Sequence, residues 1–419
     1  ENKAIEMTQK AFEESKRAKR LALIAKQNSE IAQNKSKIAE DALVLAQKNE
    51  DDALYQKKLA NKKIKQQIAR NDAILAQQEY LNGNYLRGYE IAKNAYKQNK
   101  LNAGNIFDKD ILASLYKGFN TLYQDKLVVG NQVKKIQIGS KPKLYAFYSL
   151  DDSLSIFNGE KLFKLKVKKL KSFTFCDENN LIIHKFPNLV HKLDFSQGIV
   201  LNEFSLADKI ISFNKLKFNK TDHFFVICDT NVLVLDQNLK KVQQWKNSLK
   251  INSLNNYNEH FICISDSKIL IIDFTKKKEI NILREYDFKE NISSISSVFE
   301  RNKIAIGLAN GNFSIFDLKK NKTIILNKTH KTKITGCHVI KANEKSVIVT
   351  TGMDSQIKIF SGFENDWIDK KFTQIDNVSN HTSWINDSKL DYSNKNLLTA
   401  SADGTVRFWP LDPETFLNY

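Results

Sequence analysis

Apolar and polar residues alternate with two different periods along this chain, and the change falls near residue 127. Before it, the spacing is helical. Ala4, Ala11, Ala18, Ala25, Ala32, Ala39, Ala46, Ala53 and Ala60 stand seven residues apart in one phase. Ile24, Ile31, Ile38, Leu45 and Leu59 each precede one of these alanines. A seven-residue apolar repeat draws a seam that winds slowly about a helix, and burying it favours a left-handed coiled coil. The first Gly is Gly83 and the first Pro is Pro142, so nothing breaks the helical pattern for 82 residues. Residues 1–79 are therefore expected as one long helix, roughly 120 Å if continuous, with weak coiled-coil pairing. The pairing is weak because Ala buries little area and Glu14, Asn28, Lys35 and Asn49 interrupt the seam. A lone solvated helix is the alternative.

Residues 80–126 change character, with Tyr80, Tyr85, Tyr89 and Tyr96 gathered around Gly83 and Gly88. The stretch GNYLRGYEIAKNAY resembles the small-residue and Tyr spacing of a tetratricopeptide helix pair, with 107–123 as its second helix. One such pair cannot bury its own apolar face. A small helical collar, joining the long helix to the C-terminal part of the chain, is expected.

From residue 127 the period drops to two, in short runs rich in Ile, Val and Phe, which predicts strands. Only Phe12, Phe107 and Phe119 of the 26 Phe residues precede this point. The strands recur in sets, each marked by a turn residue with an apolar residue six positions on. The marks are Asp151 with Phe157, Pro187 with Leu193, Asp229 with Leu235 and Asp266 with Ile272. Asn310 with Phe316, Asp354 with Phe360 and Asp403 with Trp409 complete them. Their intervals are 36, 42, 37, 44, 44 and 49 residues, the period of a four-stranded propeller blade. In four units an Asp follows the closing residue: Asp194, Asp236, Asp273 and Asp317.

The last unit, NLLTASADGTVRFWPLD (396–412), resembles a WD-repeat motif, with His381 where that family places the His of its inter-blade loop. The resemblance implies a buried hydrogen-bonded tetrad of Asp403, His381, Ser401 and Trp409. A carboxylate buried in a tight turn is tolerable only among donors, and His, Trp and a hydroxyl provide them. A hydrolytic triad is the less favoured reading of Ser, His and Asp here. Other units depart from the pattern: Phe157, Phe316 and Phe360 replace the Trp, and His330 is placed to serve Asp354. The fold class expected is α+β multidomain: a long N-terminal α-helical coiled-coil region plus an all-β seven-bladed WD-type propeller over 127–419. Because the final unit ends at its third strand, residues 127–138 (LVVGNQVKKIQI) are expected to supply the strand that closes the ring.

In the WD family the residue before each turn mark often faces partners. Carried over, the candidate partner-binding face is Leu150, Phe186, Cys228, Ser265, Ala309, Met353 and Ala402. Small and apolar members dominate, which points to a protein contact, although some of them could simply pack beneath the loops.

Composition adds limits. The net charge is +18, from 65 Lys and Arg against 47 Asp and Glu, and residues 1–126 hold 23 basic against 16 acidic side chains. An acidic partner, a nucleic acid or an anionic surface would be attracted. Because the charge is spread over both regions, nucleic acid is not favoured. The densest cluster, KLFKLKVKKLK (161–171), reads as an outer strand guarded by edge lysines. Cys176, Cys228, Cys263 and Cys337 lie far apart without CxxC, so a reduced, cytoplasmic chain is the simpler reading. No apolar run is long enough to span a bilayer. GxxxxGK[ST], HExxH, GxSxG and GxGxxG are absent from the sequence, so no enzyme, cofactor or metal is implied. His184 and His191 flank one predicted turn, where a metal-ligating pair is the alternative, but they read as solvated strand residues. Beginning at Glu1 without Met, the sequence reads as a fragment or a processed product.

The order of helix, collar and propeller resembles the C-terminal sensor half of bacterial STAND-type signalling NTPases, which implies a non-catalytic, ligand-sensing module with nucleotide chemistry upstream of Glu1. Two competitors stand beside it. One is a scaffold that docks a protein on its propeller and self-associates through residues 1–79. The other is a basic nucleic-acid-associated WD protein, whose affinity would fall steeply with salt.

Overall fold

The computed structural model describes residues 2–123, 126–219, 221–257, 260–274, 279–299, 302–342, 345–362, 367, 372–375, 378–391, 393 and 395–418. Contacts divide the chain into two units, Glu1–Ile68 and Ala69–Tyr419. The described residues of the first, 2–68, all belong to helix α1, Asn2–Leu81, as their lack of Gly and Pro favours. Every position of the alanine seam from Ala11 to Ala60 is exposed, as are Ile24, Ile31, Ile38, Leu45 and Leu59. The long helix is thus present, while a coiled coil is not established, since the seam stays in solvent along the described residues.

The second unit opens with the last turns of α1, then α2 (Tyr85–Leu101) and α3 (Lys109–Leu122). Ala69, Ala73 and Ala76 are fully buried here, on a face distinct from the heptad line. Small residues permit close approach: a Cβ at Gly88 would lie 2.5 Å from the Tyr80 ring. Tyr80 donates to the Ser114 carbonyl at 3.0 Å. Asp108 caps α3 by accepting from the Asp110 and Ile111 amides, and it also receives Arg70 Nε at 2.8 Å. The apolar face that a helix pair cannot bury alone is covered by α1 on one side and the propeller on the other. Tyr89 donates to the Phe416 carbonyl (2.9 Å), Tyr96 to Glu414 (2.6 Å) and Asn120 to the Val378 carbonyl (2.7 Å). Tyr116 and Phe119 set their rings edge-on to Phe416, at 4.9 and 5.5 Å. The short 3₁₀ turn Pro413–Asn418 is thereby clamped under the collar.

Seven four-stranded antiparallel sheets complete the second unit, giving blades at 133–166, 170–205, 210–246, 253–287, 292–328, 334–375 and 385–410. All seven turn marks fall in the tight turn between the second and third strands of successive blades. Middle strands such as Lys303–Leu308 are buried along their whole length, because neighbouring blades cover both faces. Outer strands such as Ile199–Ser205 are almost wholly exposed. The recurring Asp after the third strand has a local cause. Asp194 accepts from the amides of Ser196 and Gln197, Asp236 from those of Asn238 and Lys240, and Asp317 from those of Lys319 and Lys320. These are side-chain turns that start the next hairpin.

Closure differs from the expected single strand at 127–138. Lys126–Val128 alone pairs with Thr405–Pro410 to complete blade 7. The chain then turns at Gly130 (φ +113), and Val133–Ile138 becomes the inner strand of blade 1. Glycine is needed there because φ is far into the region L-residues avoid. The KLFKLKVKKLK cluster also divides. Leu162–Lys166 is an outer strand, but Leu170–Phe175 is the inner strand of blade 2, which places Lys171 at the central channel. The inner strands of the seven blades line that channel, whose volume is about 810 Å³.

Candidate interaction face

The face is built from the turn after each second strand and from the segment that enters each first strand. A repeated backbone bond joins the two. Leu150 N–H donates to the Gln132 carbonyl, Phe186 to Lys169, Ala309 to Asn291, Met353 to Lys333 and Ala402 to Trp384, all at 2.8–3.0 Å. This pins those candidate positions to the mouth where the inner strands begin. Leu150, Phe186 and Ala309 are exposed, while Ser265, Met353 and Ala402 are half-buried. Cys228 is wholly buried, so it packs beneath the loops and does not face a partner. Burial pushes its thiol up to about 12.

Sequence reasoning missed Trp384. It is 54% exposed, whereas Trp245, Trp367 and Trp409 are buried. With Leu150, Ala402 and 130–132 it lines a cleft of about 380 Å³ across the seam of blades 7 and 1. An exposed Trp beside an exposed Leu is the kind of anchor that protein interfaces use. Its signal in the sequence was its place three residues after His381, in the loop entering an inner strand. Phe186 lies further round, with Lys171 Nζ at 5.3 Å and Lys209 Nζ at 5.9 Å from its ring centroid.

Beneath the blade 7 turn, His381 Nδ1 lies 2.8 Å from Asp403 Oδ2, and His381 Nε2 lies 2.7 Å from Thr399 Oγ1. Trp409 Nε1 donates to the same Thr399 hydroxyl at 2.7 Å. The hydroxyl of this group is therefore Thr399 and not the expected Ser401. Ser401 Oγ instead donates to the Ser383 carbonyl and accepts from the Asp403 amide. The reason is strand alternation: Thr399 lies two residues earlier on the same strand, deeper along the face that Trp409 and His381 share. A consistent proton pattern runs from Trp409 N–H to Thr399, from Thr399 O–H to His381 Nε2, and from His381 Nδ1–H to Asp403.

Burial lowers the His381 pKa, and the Asp403 hydrogen bond only partly offsets this, so the ring is neutral at pH 7. For Asp403, burial works to raise the carboxyl, but hydrogen bonds from His381 and Thr405 outweigh it and hold it far below the usual range. All of the imidazole's polar atoms are engaged inside the blade. Thr399 and Ser401 are wholly buried, so these hydroxyls act within the blade and the group holds the turn. Blade 6 repeats it with His330, Asp354 (2.9 Å) and Thr350 (2.9 Å), and Phe360 stands where blade 7 has Trp409.

His184 and His191 are both buried, not solvated, and they do not form a pair. His184 pairs across with Val190, and His191 with Ile183, so the two rings take opposite faces of blade 2. His184 meets Ser172 Oγ at 3.1 Å, and His191 lies 3.1 Å from Glu203.

Among the described residues no helix is long and apolar enough to cross a membrane. Residues 372–410 match the family described as WD domain, G-beta repeat, the segment that holds His381, Thr399, Asp403 and Trp409. No curated protein matches the sequence. No enzyme family is indicated, and propellers of this kind are typically non-catalytic. The matched repeat and the seven blades together support a WD-repeat propeller, an architecture that generally serves as a protein-interaction scaffold.

Proposed function

We propose that this chain is a non-catalytic sensor module: a partner docks on the propeller face around Trp384 and Leu150, and docking biases a signalling NTPase core of the STAND type upstream of Glu1. The observation that carries this reading is the packed collar. Tyr89, Tyr96, Tyr116 and Asn120 bond to residues 378–416, so the helices next to the propeller are seated on blades 6 and 7 and do not hang from a loose linker. A partner that binds one arrangement of such a joint better than another shifts its population. A protein partner is favoured because the exposed Trp384 and Leu150 stand as apolar anchors in a cleft otherwise lined by polar groups such as Asn131, Gln132 and Ser383.

The test is the coding DNA upstream of the Glu1 codon. A continuous frame carrying GxxxxGK[ST] after a strand pattern supports the sensor reading. A start codon within a few residues overturns it. A second reading is then favoured by the solvated alanine seam of residues 11–60: a cytoplasmic adaptor that docks one protein and self-associates through its helix. Sedimentation of residues 1–79 would separate dimer from monomer.

A further inference from the structure

Outside the docking face, three features carry distinctive chemistry: the buried histidines of blades 2 and 6, the half-open cavity under the collar, and the central channel. Only the channel gathers like charges. Lys134 and Lys135 on blade 1, Lys171 on blade 2, Lys333 at the entry to blade 6 and Lys389 on blade 7 all line it. Blades 6, 7, 1 and 2 are consecutive around the ring, so the five lysines line one continuous arc. The opposite arc, on blades 3 and 4, offers Ser212, Asn214, Ser253 and Asn255, which are neutral hydroxyl and amide donors, while the Ser293 hydroxyl on blade 5 already donates to the Gly307 and Ile334 carbonyls. Among the described lining residues the single carboxylate is Asp387, and its oxygens already accept the Ile136 amide (3.0 Å) and the Ser388 amide (2.9 Å).

We propose that the central channel binds a small, multiply phosphorylated anion, held by Lys135, Lys171 and Lys389 on one side and by serine and asparagine donors on the other. Charge and size select this class. Five lysines and one carboxylate lining about 810 Å³ are best matched by a ligand that carries several negative charges on few atoms. Phosphoryl groups do so, and they accept hydrogen bonds from Ser and Asn equally well. A pocket of this volume suits a small molecule.

Like charges are held together here with little relief. Lys135 Nζ donates to the Lys171 carbonyl at 2.8 Å and Lys171 Nζ lies 5.3 Å from the Phe186 ring centroid, but none of the five lysines is ion-paired among the described residues. Surrounding protein lowers the Lys135 pKa, Lys389 and Lys171 lower it further, and Asp387 compensates only in part. Water reaches this side chain even though protein rings it, so it remains open to a ligand. An entering anion relieves the repulsion and gains the attraction at once. This inference does not rest on the sensor reading, and either can fail alone.

The experiment is titration calorimetry of the full chain with inositol hexakisphosphate and with inorganic triphosphate at about 150 mM salt, where surface attraction is screened over ~8 Å. One-to-one binding is expected, with a rise in the melting temperature. Lys135→Gln and Lys389→Gln should each weaken it at least tenfold, while Lys164→Gln, on an outer strand, should leave it unchanged. No heat at millimolar probe, equal loss in Lys164→Gln, or equal binding of a single-stranded oligonucleotide would overturn the proposal. Should a variant fail to fold, acylation of the wild-type protein decides: bound probe must shield Lys135 and Lys389 and leave Lys164 reactive.

Discussion

Single residues decide how the blade 7 turn is held. Thr399 both receives the Trp409 N–H and reaches His381 Nε2, so removing its hydroxyl leaves two buried groups without partners. Each such group costs about 1–3 kcal/mol. Thr399→Val should therefore lose about 2–4 kcal/mol in urea unfolding, and Ser401→Ala about 1 kcal/mol. Equal losses, or the reverse order, would return the hydroxyl's role to Ser401. The motif made Asp403, His381 and Trp409 legible, because a turn Asp, a loop His and a strand-closing Trp stand at fixed distances in sequence. The hydroxyl was not legible. TAS offers two hydroxyls on one face of the strand, and only depth in the blade tells them apart. Trp384 was missed for a related reason, since a strand-entry Trp reads as core until its loop is seen to point outward.

At the scale of elements, closure depends on three residues. Lys126–Val128 covers the edge of Thr405–Pro410, which would otherwise offer unpaired groups to another chain. Leu127→Pro removes a strand N–H and fixes φ, and it should open blade 7. Light scattering on gentle warming is expected to rise well before it does for the wild-type chain; an unchanged profile would show that closure is dispensable. Blade count and turn positions could be read from spacing alone, because each hairpin needs its own turn residue and the interval repeats. The split of 127–138 at Gly130 could not. A period-two pattern does not say which edge a strand will join, and that choice belongs to the partner strand. The lysine cluster 161–171 misled in the same way, since its two halves serve opposite edges of neighbouring blades.

Across the whole molecule, burial of imidazoles sets an acid limit. Burial lowers His184 to about 4 and His338 to about 3, with Lys389 adding to the second, and His381 is lowered as well. Unfolded histidines titrate near ~6.5. Below that pH the unfolded chain binds protons that the folded one refuses, so stability is full above about 6.5 and falls as pH drops toward 4. The depressed Asp354 and Asp403 extend the loss below about 3.9. The urea midpoint should decline steadily over this window, and His338→Gln should flatten the slope even if it lowers stability at pH 7. A midpoint constant from pH 7 to 4.5 would contradict the burial of these rings. The sequence by itself determined the long helix, the start of strands near residue 127 and the seven-fold repeat, because helix and strand periods and turn chemistry are local properties of the chain. Only the tertiary structure decided which hydroxyl meets His381, which strand closes the ring, that Trp384 faces out, and that five lysines scattered over some 250 residues converge on one channel. Those outcomes depend on which blades become neighbours, and adjacency in a closed ring is set by packing among all seven blades at once.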